Sequence, residues 1–153
     1  GPHPDQGVCH AYLPLPDSSW KEQDFGEEPT FNAAGNGGVW SSVYELSLYE
    51  QGIKNLSFFT PEVLELGRKI WPLPQWSDKS PSKLGLSWVI EQYEGHTMYS
   101  HTGSQGGFTG DFVSIPDIGF FYTILSNTPV QIEATRNNVL EYALKQGWIT
   151  PFR

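Results

Sequence analysis

Tyr99-Ser100-His101-Thr102-Gly103-Ser104-Gln105-Gly106-Gly107-Phe108 is the stretch whose reading decides the fold. Its first part closes a β run, His96-Thr97-Met98-Tyr99-Ser100-His101. That run returns across a Glu94-Gly95 turn from Leu84-Gly85-Leu86-Ser87-Trp88-Val89-Ile90, so the two are predicted to pair as antiparallel strands. Gly103-Ser104-Gln105-Gly106-Gly107 reads as a glycine-rich connection. Two more strands are expected, Phe108 to Ile115 and Gly119 to Ser126, joined at Pro116-Asp117-Ile118-Gly119. The run Phe120-Phe121-Tyr122 predicts a strand at the centre of the core with both faces covered.

A helix follows from about Gln131 to Gln146, with Gly147 at its stop. Ile132, Val139, Leu140, Ala143 and Leu144 fall on one side and are expected to face the sheet. Before the strands lie two more helical patterns. The first has Ser41 or Ser42 as N-cap and Glu45 completing a capping box with Ser42. Val43, Leu46 and Ser47 begin its pattern, and Gly52 is expected to end it. The second has Thr60 as N-cap, Pro61 at the first helical position and Glu62 in the first turn. Val63, Leu64, Leu66 and Ile70 form its apolar face. Pro72, Pro74 and Pro81 then impose a loop.

The fold class is therefore α+β: an antiparallel sheet of about four strands with helices packed on it. Residues 1–153 form a single or partial domain, a loop-rich lead-in over 1–36 followed by the ordered elements of 37–147. In the lead-in only Val8 to Leu13 reads as a short strand, between Pro2, Pro4, Pro14, Pro16 and Pro29. So long a loop is uncommon in a self-contained domain. The expectation is a surface excursion whose other anchor lies upstream.

Composition narrows the function classes. Of the 153 residues 38% are hydrophobic and 14% aromatic, too apolar for a disordered segment. The formal charge of −8, with no Lys or Arg run, disfavours nucleic acid as a partner. No apolar stretch approaches the roughly 20 residues of a membrane span. The single cysteine, Cys9, excludes an intrachain disulfide.

His101-Thr102-Gly103 and its surroundings resemble the Lys-Thr-Gly strand of the serine β-lactamase and penicillin-binding-protein superfamily, above all the class C branch with its esterase and peptidase relatives, where His often replaces the Lys. Three further cues follow the family's order. Gly37-Gly38-Val39-Trp40-Ser41-Ser42 is similar to its helix-opening motif, Leu84-Gly85-Leu86-Ser87-Trp88 to its Tyr-Gly-Leu-Gly-Trp strand, and Ile124-Leu125-Ser126-Asn127 before a last helix to the end of its domain. The resemblance covers roughly residues 33–147. It implies the C-terminal part of a β-lactamase-like sandwich and an extracytoplasmic serine hydrolase that passes through an acyl-enzyme, with no cofactor and no metal. It further implies that the backbone N–H of Ser104 is one of two oxyanion donors, and that His101, Thr102 and Gly103 bind substrate. Thr102 would offer its hydroxyl and Gly103 a bare backbone. With an imidazole in place of a permanent cation, carboxylate binding is expected to be weaker or more pH-dependent.

The same family requires a Ser-x-x-Lys at a helix start and a Tyr-x-Asn or Ser-x-Asn loop. The second motif is absent. The first occurs as Ser18-Ser19-Trp20-Lys21 and Ser80-Pro81-Ser82-Lys83, and neither opens an apolar helical pattern. The expectation is that nucleophile and base lie upstream, so that this chain is inactive alone. Its partners are then the remainder of the same domain and a small-molecule or peptide substrate. An exposed apolar surface is expected to favour self-association, unless a rearranged tail covers the gap.

Two other constellations are weaker. His3, Cys9 and His10 lack zinc-ligand spacing. Trp71, Trp76 and Trp88 are compatible with a sugar-stacking groove, though tryptophans more often anchor cores and loops. The competing class is thus a non-catalytic carbohydrate- or protein-binding module.

Overall fold

A computed structural model of the chain describes residues 9–23, 39–72 and 82–152. In chain order the elements are β1 (Ala11–Pro14), β2 (Trp20–Gln23), α1 (Val43–Lys54), α2 (Pro61–Arg68), β3 (Lys83–Leu84), β4 (Val89–Tyr93), β5 (His96–Gln105), β6 (Phe108–Ile115), β7 (Phe120–Ser126) and α3 (Ile132–Lys145). Strands β3 to β7 form one antiparallel sheet in sequence order, and β1 pairs with β2 in a separate ribbon.

The sheet has five strands rather than four, because the run Leu84–Ile90 is not one strand. Lys83 pairs with Ile90 and Leu84 with Val89, so the segment folds back on itself. The turn is closed by the Gly85 N–H donating to the Trp88 carbonyl at 2.8 Å, and Ser87 sits at φ +64°. A second departure concerns Gly103-Ser104-Gln105, which extends β5 instead of forming the connection. Only Gly106 and Gly107 turn the chain, at φ +57° and +86°. Two successive left-handed residues make the tight hairpin whose twist matches its strands.

Each face of the sheet carries helical cover. On one face, Met98, Val113 and Ile115 pack with Leu140, Ala143 and the post-helical Ile149 as the buried core. On the other, Phe112 packs against Tyr49 of α1, Trp88 and Phe121, with ring centroids 5.0–6.1 Å apart. The aromatic run Phe120–Tyr122 lies on the edge strand β7, not at the sheet's centre, and its rings are only half-buried. Alternation sends Phe120 and Tyr122 to the α3 side and Phe121 to the Phe112 cluster.

The helices begin where their caps place them. Ser42 Oγ accepts from the Glu45 N–H while Glu45 Oε2 accepts from the Ser42 N–H, and Thr60 Oγ1 caps Pro61–Arg68. Gly52 does not end α1; it is buried inside the helix, and a Cβ there would lie 2.0 Å from the ring of Phe58. The glycine admits a close-lying ring, and the helix stops two residues later. In α2 the expected apolar face is largely uncovered: no residue is buried, and Val63, Leu66 and Ile70 are exposed.

Within the lead-in, β1 overlaps the expected strand, whereas β2 carries no apolar alternation and is held by its backbone ladder and by Glu22, which pairs with His10. The ribbon docks on the end of β7, where the Tyr12 N–H donates to the Asn127 carbonyl and Asn127 Nδ2 to that of His10. Much of the remaining lead-in and the loop holding Pro74, Trp76 and Pro81 lie outside the described residues.

Candidate active-site strand

Strand β5 is longer than its neighbour β4. The β4 ladder ends at Val89 opposite Ser100, while pairing with β6 continues to Gln105 opposite Phe108. Residues 101–104 are consequently laddered on one side only among the described residues, and all four are exposed. In an antiparallel strand the N–H and C=O of alternate residues point the same way. The projecting segment therefore presents a row of backbone donors and acceptors along its outer edge.

The four residues singled out in the sequence are contiguous here, but their side chains divide between two faces. Cross-strand partners share a face. His101 stands opposite Phe112, on the side of the aromatic cluster, and Thr102 stands opposite Asp111, on the side of α3. Gly103 faces open space, since a Cβ built there meets no atom within 4 Å. Packing within the described residues does not demand a glycine at that position.

Trp88 closes one flank. It follows the Gly85–Trp88 turn, one position beyond the ladder, and its ring lies 5.6 Å from that of Phe112. Tyr99, two residues before His101, carries the guanidinium of Arg68 over its ring at 4.4 Å. These two residues, with Leu64 and Lys69, border a notch of about 440 Å³ between α2 and β5. A second hollow of about 330 Å³ lies between β7 and α3, among Phe120, Tyr122, Val139 and Tyr142, far across the sheet from β5.

A buried ionic group braces the strand from behind. Asp111, 2% exposed, accepts two hydrogen bonds from Arg136, Nη2 to Oδ1 at 2.5 Å and Nε to Oδ2 at 3.1 Å, and a third from the Tyr122 hydroxyl at 2.7 Å. Glu91 lies 3.6 Å from Arg136 Nη1 and accepts from Ser82 Oγ. Burial, then the bond to Asp111, pushes the Tyr122 phenol far above its ordinary range. For Arg136 burial opposes the charge, but Asp111 outweighs it and the guanidinium is held above its usual value. Sequence reading passed over this group, although its signal was present. Thr109, Asp111, Val113 and Ile115 share one face of a strand, and a carboxylate in such a row needs a cation.

The described residues of the two Ser-x-x-Lys sequences lie outside any helix. Ser18 sits at φ +68° in the β1–β2 turn, Ser19 donates to Asp17, and Lys21 lies in β2. Of the second, Ser82 is bound to Glu91 and Lys83 lies in β3, while Ser80 and Pro81 are outside the described residues. His10 pairs through Nδ1 with Glu22, Cys9 is exposed, and His3 lies outside the described residues. Among the described residues no group of three His, Cys, Asp or Glu is placed to hold a metal. No described helix is long and apolar enough to cross a membrane. Trp71 is exposed, with Lys69 Nζ 5.3 Å from its ring, and the ring of Trp88 lies 5.6 Å from that of Phe112.

No protein-family model matches the chain, and no curated protein does. Solved structures do. The octameric penicillin-binding protein homologue from Pyrococcus abyssi superposes over 94% of this chain with a TM-score of 0.74 at 23% identity. The penicillin-binding protein from Bacillus halodurans superposes over 87% with a TM-score of 0.67 at 13% identity. The chain spans only 32% and 39% of the length of those two structures. With helices on both faces of a five-stranded antiparallel sheet and those superpositions, the chain has the penicillin-binding-protein/β-lactamase-like fold.

Proposed function

We propose that this chain is the C-terminal part of an extracytoplasmic serine hydrolase. In this reading it supplies the substrate-facing strand for acyl-enzyme hydrolysis of an amide or ester, and nucleophile and base come from a preceding segment of the same domain. The observation that carries the reading is the one-sided projection of β5, with exposed backbone over His101–Ser104 and open space at Gly103.

The chemistry follows from that edge. An acyl group laid along it meets main-chain N–H groups fixed by the sheet, and such a donor is worth about 3 kcal/mol when aimed at a developing oxyanion. Ser104 is the donor, and His101, Thr102 and Gly103 hold the substrate. Because His101 and Thr102 lie on opposite faces, they grip the substrate from either side of the strand. Among the described residues no serine has a lysine one helical turn away, so in this reading the attacking group comes from the preceding segment. The location outside the cytoplasm rests on the family resemblance.

Nitrocefin and short-chain 4-nitrophenyl esters test the first part, and hydrolysis by this chain above a buffer blank would show that it holds its own nucleophile. The second part is tested by the coding sequence immediately upstream. A Ser-x-x-Lys and a Tyr-x-Asn there, with hydrolysis by the longer product, support the enzyme. In that product Gly103→Leu, which fills the open space, is expected to lower kcat/KM by about 100-fold. An unchanged value would remove β5 from the site. Saturable quenching of tryptophan fluorescence across a glycan set, with no upstream motifs, would favour the binding module instead.

A further inference from the structure

His96, at the opposite end of β5 from the candidate site, is 4% exposed and faces an acceptor at each ring nitrogen. Nδ1 meets Asp117 Oδ2, and Nε2 lies 2.7 Å from the Thr150 carbonyl oxygen. A carboxylate and a carbonyl can only accept, so satisfying both requires a proton on each nitrogen. Around this ring the chain after α3 is folded back onto the β4–β5 turn. The Phe152 N–H donates to the Glu94 carbonyl at 2.9 Å, and its ring stands edge-on to His96 at 5.6 Å. The Phe152 Cβ lies so near Gly95 that a Cβ there would approach to 2.8 Å.

We propose that His96, as an imidazolium, is a pH-sensitive clasp that holds Thr150–Phe152 on the β4–β5 turn and releases this segment when one ring proton is lost. A neutral ring has a single proton. It remains at Nδ1, because the charged acceptor Asp117 binds it more strongly than a carbonyl does. Nε2 then turns a lone pair toward the Thr150 carbonyl, and repulsion replaces the bond. Ile149, 1% exposed in the core, keeps the chain anchored just before the segment that lets go.

The carboxylates around the ring outnumber the cations. Asp117 comes from the turn after β6, Glu94 from the β4–β5 turn, and Glu141 from α3 lies near Tyr93, the register partner of His96. Lys54 of α1 reaches toward Gly119, two residues past Asp117, and is the cation on that side. The bond to Asp117, then that to Thr150, raises the imidazole above its ordinary range, although burial opposes this. The clasp is accordingly complete below the pKa of a free histidine and is lost as pH rises through the higher folded value.

Long-range ¹H–¹⁵N spectra of the chain at pH 6 are expected to show protons on both ring nitrogens of His96. The Phe152 amide, compared with an unstructured peptide at each pH, is expected to lose protection with the same midpoint as the His96 titration. The loss is about tenfold for every pH unit by which docking moves that titration. Asp117→Asn keeps an acceptor without the charge and should bring release to lower pH. His96→Gln, with one amide donor group and no charge, should leave the segment loose throughout while the Ile149 and Leu140 methyl signals report an intact core. A single ring proton at pH 6, or Phe152 protection indifferent to the His96 titration in the unmodified chain, would overturn the clasp.

Discussion

At the scale of single residues, backbone geometry makes sharper demands than composition does. Ser87 holds φ +64° in the β3–β4 turn, a conformation that costs an L-residue about 1–2 kcal/mol. Ser87→Gly is therefore expected to stabilise the chain by roughly 0.5–1 kcal/mol after glycine's own entropy is counted, as a higher urea midpoint with unchanged slope. Gly85 is the opposite case. A Cβ there would lie 2.5 Å from the Gly67 carbonyl oxygen, which is backbone and cannot swing away. Gly85→Ala should cost about 1–3 kcal/mol. Glu50 is a further test, since burial raises its carboxyl pKa despite the hydrogen bond from Ser114. A raised carboxyl favours the protonated form on folding, so ionisation above the ordinary Glu range destabilises the fold. Glu50→Gln is expected to raise Tm near pH 7, with the gain shrinking as pH falls toward the ordinary Glu range and absent below it.

At the scale of elements, a buried pair ties α3 to β6, the ladder neighbour of the candidate strand. Arg136→Met leaves Asp111 charged and uncompensated in the core and should cost about 3–5 kcal/mol. Adding Asp111→Leu to it should recover most of that loss, read by chemical denaturation of single and double variants. The sequence made the helix starts legible because a capping box and a Thr-Pro-Glu opening are local chemistry. It also exposed β6, β7 and α3, whose periods run unbroken. The β3–β4 turn was hidden because Ser87 adopts a glycine's conformation with no glycine to announce it. The helix limit at Gly52 was misread because a glycine that makes room for Phe58 looks the same in sequence as one that ends a helix. Among the site residues, contiguity could be read directly. The free edge could not, because it depends on where β4 stops.

At the scale of the whole molecule, the described residues leave much apolar surface uncovered among themselves. Val63, Leu66 and Ile70 of the α2 region, Val43 and Tyr44 of α1 and Trp148 beyond α3 are all exposed, and β7 is an edge strand bearing Phe120–Tyr122. Surfaces of this kind associate. The chain is expected to self-associate with rising concentration and to bind a hydrophobic dye, whereas a dye-silent monomer by sedimentation would contradict this.

The two-glycine turn at Gly106-Gly107 has a consequence for how the strand can evolve. Adding a single residue to that hairpin would shift one arm against the other by one pleat, exchanging the orientations of His101 and Thr102 at a stroke. Adding two residues would instead leave both orientations as they are, so the faces of this arm follow the parity of its length.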